Sequence, residues 1–266
     1  MATIQTNSLD RLRFATITDA QKLTTVTAPD FFLAGPQRTG STWLYNVLRE
    51  HPEIYLSSPK ELYYWNVLDK PDHFQHETTD LGWYLDHFRG AGDRVYGEAT
   101  ASYATMDEWL VEEAIALVPD LRVVITVRHP IDRLWSHAKM EFARILPDVE
   151  FDDISDLQLR EFGESPYHQH CGAYSEIIQM WSRHLRPGNL YVGLFDDISR
   201  RPLNFALDVA RFLGVSDDPC HIEHRIEHNP NPTPRETRFP EQFRPALEDL
   251  YRDEIAWLRA HFNVPW

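Results

Sequence analysis

Short hydrophobic segments alternate with segments of helical periodicity along most of the chain. The first, Phe31-Phe32-Leu33-Ala34, leads into a glycine-bounded turn and then a helical pattern over residues 41–51. The most hydrophobic segment, residues 121–127, is rich in β-branched residues, as strands buried on both faces are. Because this alternation is typical of βαβ units, we predict an α/β, P-loop-like three-layer fold with a central parallel sheet flanked by helices.

The rest of the chain shows the same alternation. Further strands are predicted over residues 94–97 and 190–195, and further helices over residues 130–145, 173–186 and 241–262. Two stretches, 146–171 and 216–240, are rich in turn-forming residues and are predicted to be long loops. Residues 1–30 carry little signal and are interpreted as a leader, so residues 31–266 are predicted to form a single domain.

Composition and charge narrow the classes of function. Among 266 residues, 26 Lys and Arg oppose 41 Asp and Glu, which gives a net charge of −15. This balance argues against nucleic acid as a partner, because phosphate contacts require Lys and Arg, but it allows one local basic pocket for a small anion. No secretory signal and no hydrophobic run long enough for a membrane span are visible, and the two cysteines cannot form a disulfide framework. We therefore expect a cytoplasmic protein; its oligomeric state stays open.

The turn after the first strand has the pattern of a phosphate-binding loop. Gly35 and Gly40 are spaced as in a Walker A loop and precede a helix, whose first N–H groups favour anions. The Walker lysine is replaced by Ser41, and the later strand ends in Arg128 where the magnesium-binding Asp of an NTPase is expected. The pattern favours an anion site without a metal, with a purely structural glycine turn as the alternative.

The same turn resembles a known family. Arg38-Thr39-Gly40-Ser41-Thr42-Trp43 is similar to the loop of sulfotransferases that use 3′-phosphoadenosine 5′-phosphosulfate (PAPS). Arg128-His129-Pro130 followed by Ser136 resembles that family's 3′-phosphate site, and Gly172-Ala173-Tyr174 and Phe212-Leu213-Gly214 also match. The motifs occur in the family's order over roughly residues 31–215, and those of its glycosaminoglycan (heparan sulfate) branch are the most similar.

The resemblance implies a role for each matching residue. Thr39, Gly40, Ser41, Thr42 and Trp43 would hold the donor nucleotide, with Trp43 stacking on adenine; the alternative is a core tryptophan. Arg38 would contact the bridging oxygen as charge builds on the departing 5′-phosphate.

A second anion pocket, separate from the loop, is expected for the 3′-phosphate. Arg128 and Ser136 would form it, although a surface arginine and an ordinary mid-helix serine are the alternatives. Arg235, in the segment that covers the cofactor in relatives, would also bind the cofactor, but the glycines of that segment are not evident here. A position of Arg235 in a solvated loop, without contact to the cofactor, is an equally supported interpretation.

Two carboxylates are candidates for the catalytic base. Glu61, in Pro59-Lys60-Glu61-Leu62-Tyr63-Tyr64-Trp65, resembles the proposed base of the glycosaminoglycan branch and ranks first. Glu98 lies at a strand end, where α/β proteins bind ligands, and ranks second; it could instead orient the site or pair with an arginine. Ala99 replaces a lysine that relatives use to hold the sulfo group, and Lys60 is a candidate to compensate.

A histidine cluster is the remaining motif. His221, His224 and His228 next to Cys220 have a spacing that would suit zinc on a helix, but the intervening acidic residues and following prolines favour a polar surface turn. We therefore predict no metal.

The prediction for the whole chain is a PAPS-dependent O-sulfotransferase that releases 3′-phosphoadenosine 5′-phosphate (PAP). A P-loop kinase acting on ATP and a non-enzymatic nucleotide-binding scaffold are the alternatives. The acceptor stays open among glycans, lipids and small natural products.

Overall fold

A five-stranded, fully parallel sheet forms the centre of the molecule in a computed structural model, which describes residues 11–17, 27–69, 78–90, 92–145, 155–227 and 239–266. The strand order is β2-β3-β1-β4-β5. The strands are β1 (Phe31–Leu33), β2 (Ile54–Leu56), β3 (Val95–Ala99), β4 (Arg122–Val127) and β5 (Leu190–Leu194). The α/β prediction with a parallel sheet is confirmed.

Helices connect the strands and cover both faces of the sheet. They are α1 (Ser41–Leu48), α2 (Tyr64–Asp69), α3 (Leu81–Asp86), α4 (Glu108–Leu117), α5 (Pro130–Ile145), α6 (Asp156–Glu164), α7 (Pro166–His170), α8 (Tyr174–His184), α9 (Phe195–Arg200), α10 (Pro202–Leu213), α11 (Arg244–Leu250) and α12 (Arg252–His261). Short 3₁₀ turns cover Ala101–Thr105, Pro219–His221, Glu223–Arg225 and Glu241–Phe243. None of the helices in the described ranges has the length and apolar character to cross a bilayer.

Two hydrophobic clusters lie on opposite faces of the sheet. Successive strand side chains point to opposite faces, so Phe32 packs with α2, α3, α4 and α8, whereas Phe31 and Leu33 pack with α1 and α10. In β4, Val123 and Ile125 join the first cluster and Val124 the second. Burial on both sides explains why these strands read as continuous hydrophobic runs in the sequence.

The strand order reverses at β1. The chain crosses from β1 to β2 and β3 on one side, then to β4 and β5 on the other. In parallel sheets, ligands bind outside the carboxyl ends of the strands where the order reverses. β1, β3 and β4 all end at this edge; Glu98 lies near the end of β3, and Arg38 and Arg128 lie in the segments that follow β1 and β4.

The prediction of a loop over residues 146–171 is wrong for its described part. Residues 156–164 and 166–170 form α6 and α7. The Ser155 side chain accepts a hydrogen bond from the backbone N–H of Gln158, whose side chain bonds back to the Ser155 backbone. This capping box was readable in the sequence as Ser-x-x-Gln, but the acidic composition of the segment outweighed it.

Three further expectations change in detail. The C-terminal helix predicted over residues 241–262 is interrupted at Tyr251, which separates α11 from α12. The three-residue strand β2 was not predicted, because it is too short to show periodicity. Part of the leader packs: the backbone N–H groups of Arg13 and Phe14 donate to Glu113 Oε1 at 2.6 and 2.9 Å.

Candidate active site

The turn between β1 and α1 is held by two buried threonines. The Thr39 hydroxyl donates to the Pro36 carbonyl at 2.7 Å, so the Thr126 hydroxyl, 2.7 Å away, donates to Thr39. A Cβ at Gly35 would lie 2.4 Å from Thr126 Oγ1, which explains the glycine there. Gly40 has φ +95°, a conformation that favours glycine, and starts α1 with its first N–H groups directed at the turn. The geometry fits the anion site predicted from the sequence.

Arg38 lies inside this turn and reaches across to α5. It has φ 73°, one of two non-glycine residues with left-handed backbone in the described ranges. Its Nε donates to Ser136 Oγ at 3.0 Å and its Nη1 approaches Met140 Sδ at 3.5 Å. Strained backbone of this kind concentrates at functional sites, where the surroundings must hold it in place.

Arg128 follows β4 and contacts the same turn. Its Nη1 donates to the Arg38 carbonyl at 3.2 Å, and its backbone N–H donates to the Tyr174 hydroxyl at 3.2 Å. The guanidinium lies 4.4 Å from the ring centroid of Phe195. Arg38, Arg128 and Ser136 therefore form one continuous group, in which the Arg38 side chain connects the turn to the residues predicted for the 3′-phosphate; two separate anion pockets stay a prediction.

Lys139 is a third cation of the site that sequence reasoning missed. It lies on α5, three residues after Ser136, and its Nζ is 5.8 Å from the Trp135 ring centroid. Burial lowers the pKa of Lys139, and the nearby positive charges of Arg128 and Arg38 lower it further. The helical spacing from Ser136 was the available signal, since residues three apart lie on one helix face.

These cations are partly desolvated and have no ion-pair partner among the described residues. Burial lowers the pKa of both Arg38 and Arg128. Within the described ranges, no salt bridge joins Arg38, Arg128 or Lys139 to a carboxylate. Burying a cation is unfavourable without a compensating negative charge, so this arrangement favours binding of an anion. The local concentration of positive charge contrasts with the net charge of −15.

The residues that open α1 have different environments. Ser41 is buried, and Thr42 is half-buried with its carbonyl accepting from Asn46 Nδ2 at 2.9 Å. Trp43 is 8 % exposed, and its Nε1 donates to the Ile226 carbonyl at 3.2 Å. Trp43 thus packs within the second hydrophobic cluster, which favours the core role that the sequence left open for it.

Glu61 lies in the segment between β2 and α2. Its carboxylate pairs with Lys60 Nζ at 2.9 Å, and 13 % of its side chain is exposed. It also hydrogen-bonds the Tyr63 hydroxyl, and this contact, with burial as the larger cause, raises the Tyr63 pKa. Tyr63 is the second non-glycine residue with left-handed backbone, at φ 57°. A carboxylate that is partly exposed and paired with a lysine can accept a proton from a bound molecule.

Glu98, the second candidate base, has no exposed surface. It accepts hydrogen bonds from the Tyr84 hydroxyl at 2.5 Å and the Thr100 hydroxyl at 2.9 Å. Burial raises the pKa of Glu98 to about 7, and hydrogen bonds from Tyr84, Tyr103 and Thr100 oppose that rise. Full enclosure favours the orienting role over direct proton transfer.

Two sequence predictions concern other parts of the chain. Arg235 and His228 lie outside the described residues. The surface turn predicted around the histidines is confirmed, because residues 219–221 and 223–225 form two 3₁₀ turns. Donor atoms of Asp218, Cys220 and His221 lie within 4.8 Å of one another there, in an exposed position.

Comparison with known proteins assigns the family. A sulfotransferase family model matches residues 29–219. The chain belongs to the sulfotransferase family. This confirms the resemblance carried by residues 38–43 and 128–136, and it favours a transferase of sulfuryl groups over the kinase alternative.

Curated relatives match only part of their own length. The chain is 25% identical over 203 residues to human bifunctional heparan sulfate N-deacetylase/N-sulfotransferase 2, covering 71% of this chain and 22% of the relative. It is 27% identical over 198 residues to the human N-deacetylase/N-sulfotransferase 3, with similar coverage. The chain therefore spans about a fifth of the length of the curated relatives it matches.

Solved structures share the fold. A sulfotransferase from Alicyclobacillus acidocaldarius matches with a TM-score of 0.70 and 23% identity, over 88% of this chain and 96% of that chain. Mouse sulfotransferase SULT7A1 complexed with PAP matches with a TM-score of 0.52 and 16% identity, over 88% and 89% of the two chains.

Proposed function

We propose that this sulfotransferase-family protein transfers a sulfuryl group from PAPS to an acceptor and releases PAP. The observation that carries the proposal is the group of desolvated cations, Arg38, Arg128 and Lys139, around a turn with the geometry of a phosphate loop. PAPS differs from ATP in its 3′-phosphate, and a site with several cations and no ion-pair partner in the described ranges suits a donor with two phosphorylated ends. The mouse structure that shares this fold holds PAP.

Each residue in and around the turn has a proposed role. The N-terminus of α1, with Thr39 and Ser41, holds the 5′-phosphate, while Arg128 and Ser136 hold the 3′-phosphate. Arg38 bonds Ser136 in this conformation and neutralises the charge that develops on the leaving 5′-phosphate. Because the transferred group carries less negative charge than a phosphoryl group, no metal is required.

Glu61 is the proposed base. In the transfer step the acceptor oxygen or nitrogen forms a bond to sulfur as the bond from sulfur to the 5′-phosphate oxygen breaks. The proton of the acceptor moves to the Glu61 carboxylate, and Lys60, 2.9 Å from that carboxylate, is the proposed partner of the sulfo group. Positioning and charge stabilisation supply most of the catalysis in such an in-line displacement.

The acceptor group is a hydroxyl in our first proposal and an amine in the second. A carboxylate base serves either group, because both lose a proton as the bond to sulfur forms. The amine is favoured by one observation: the curated relatives are named for heparan sulfate N-sulfotransfer. A glycan acceptor fits both proposals.

A transfer assay with ³⁵S-labelled PAPS distinguishes these acceptors. We expect label in a glucosamine-containing oligosaccharide with N-acetylated amino groups if a hydroxyl reacts, and only in its de-N-acetylated form if an amine reacts. Replacing Glu61 by Gln should lower kcat by about 10²- to 10⁴-fold, whereas the exposed Glu112→Gln control should leave it unchanged.

The same assay can reject the proposal. Absence of transfer to any glycan, lipid or small hydroxyl or amine acceptor, together with no PAP binding by calorimetry, would refute it. Transfer of ³²P from ATP with magnesium would instead support the kinase alternative.

A further inference from the structure

A buried hydrogen-bond network connects β3 to the segment that contains the proposed base. Glu98 Oε2 accepts from the Tyr84 hydroxyl and Glu98 Oε1 from the Thr100 hydroxyl, at 2.5 and 2.9 Å. The Tyr103 hydroxyl also bonds Glu98. All four side chains are fully buried, so water cannot replace these partners. The carboxylate is thus fixed by three hydroxyls, one from α3 and two from the segment that follows β3.

Thr100 passes this restraint to the segment after Glu61. The Thr100 hydroxyl donates its hydrogen bond to Glu98 Oε1 at 2.9 Å. The oxygen of that hydroxyl is then left to accept, and it does so from the backbone N–H of Leu62 at 3.2 Å and of Tyr63 at 3.5 Å. Glu98 therefore determines the direction in which Thr100 bonds the peptide group that immediately follows Glu61.

We propose that Glu98 is a positioning residue that acts through the Thr100 hydroxyl to hold Glu61 in place, and that it does not itself accept the proton of the acceptor. This inference rests on the proposed function, since it assumes that Glu61 is the base. It assigns to Thr100 a role that neither its residue type nor its place in the sequence indicated.

The difference in accessibility between the two carboxylates supports this division of roles. A base must lie within hydrogen-bond reach of the proton it removes. Glu98 has no exposed surface and its oxygens already accept from hydroxyls, whereas 13 % of the Glu61 side chain is exposed and its carboxylate pairs with Lys60 at 2.9 Å. The two carboxylates are close enough that the charge of Glu61 contributes to the raised pKa of Glu98.

Substitutions at Thr100 test the inference in the full chain. Thr100→Val keeps the shape of the side chain and removes the hydroxyl, and Thr100→Ser keeps the hydroxyl. We expect Thr100→Val to lower kcat about 10- to 100-fold, because a small displacement of a catalytic group is costly. The KM for PAPS and the affinity for PAP should stay unchanged, and Thr100→Ser should restore most of kcat.

Two further measurements separate positioning from a general loss of stability. Backbone amide exchange at Leu62 should accelerate in Thr100→Val and not in Thr100→Ser. In a double-mutant cycle, adding Thr100→Val to Glu61→Gln should cost little beyond Glu61→Gln alone, because both changes remove the same contribution. If the two substitutions lowered kcat independently, so that their fold-losses multiplied in the double mutant, the inference would be overturned.

Different experimental results would refute this inference and the proposed function. Wild-type kcat in Thr100→Val, or loss of turnover in Glu98→Gln with near-normal turnover in Glu61→Gln, would overturn the positioning role while leaving a PAPS-dependent enzyme. A wild-type chain that neither binds PAP nor transfers sulfate would refute the proposed function itself.

Discussion

At the scale of single residues, the site depends on cations whose charges are not neutralised by neighbouring carboxylates in the described ranges. Arg128 is the clearest case, because its guanidinium contacts the Arg38 carbonyl and the Phe195 ring. Burial lowers its pKa, and the negative charges of Asp132 and Asp196 only partly oppose that effect. A bound phosphate would supply the missing negative charge in a geometry that guanidinium matches with two hydrogen bonds.

Arg128→Gln should therefore weaken PAP selectively. We expect about a 10- to 100-fold loss of PAP affinity, because a charged hydrogen bond is worth roughly 1.5–3 kcal/mol. The affinity for 5′-AMP, which lacks the 3′-phosphate, should change much less. Calorimetric titration of both nucleotides checks this, with the exposed Arg183→Gln as control; equal losses for the two nucleotides would show that Arg128 does not bind the 3′-phosphate.

At the scale of elements, the turn between β1 and α1 is fixed by its contact with the end of β4. The Thr39 and Thr126 hydroxyls meet directly beneath Gly35, so the turn and the neighbouring strand share one pair of side chains. Helix α5 adds Ser136, which accepts a hydrogen bond from Arg38 of the turn, and Lys139, whose pKa is lowered by the charges of Arg128 and Arg38. The strand β4 on one side and the helix α5 on the other thus position a turn that does not form a hydrophobic core by itself.

Gly35→Ala should destabilise this arrangement. The new Cβ would lie 2.4 Å from Thr126 Oγ1 and 3.1 Å from the Thr126 backbone nitrogen, so the turn or β4 must move. We expect a loss of about 1–3 kcal/mol in the free energy of unfolding, measured with urea. Gly82→Ala is the matched control, because its Cβ would meet only ordinary contacts at 3.4 Å. A fully stable Gly35→Ala variant would contradict the packing argument.

At the scale of the whole molecule, buried histidines couple stability to pH. Burial lowers the pKa of His137 to about 3 and that of His168 to about 4, so both are neutral in the folded state. Below pH 6.5, the pKa of histidine in the unfolded chain, the unfolded chain binds protons that the folded chain does not. The free energy of unfolding therefore decreases as the pH is lowered. Glu98 opposes this decrease, because its pKa is raised to about 7 and the folded chain therefore binds this proton at a higher pH than the unfolded chain does.

Removing one buried histidine should flatten the pH dependence. Between pH 6.5 and 4.5, we expect the free energy of unfolding of His137→Gln to decrease by about 2 kcal/mol less than that of the wild type. Urea unfolding across that range measures it, with the exposed His170→Gln as control. Parallel curves for wild type and His137→Gln would show that His137 is not held neutral.

The sequence predicted the parts of the fold and site that depend on local pattern. Helix α5 has the predicted bounds, and β1, β4 and β5 lie within a residue or two of theirs, because long hydrophobic runs and a proline at a helix start are local signals. Lys139 and Thr100 were missed, because the proximity of Lys139 to Ser136 and of Thr100 to Glu98 along the chain does not show what their side chains interact with. Their place in the site follows from the charge interaction of Lys139 with Arg38 and from the hydrogen bond of Thr100 with Leu62, partners that are distant in sequence.

The order of motifs along the chain was enough to identify the sulfotransferase family, because the resemblance is carried by short local motifs, residues 38–43 and 128–136. Only the tertiary structure decided which carboxylate is enclosed and which is accessible, and that Arg38 bridges to Ser136. Burial and hydrogen-bond partners are set by how separate strands and helices pack, and that information is not contained in any single segment.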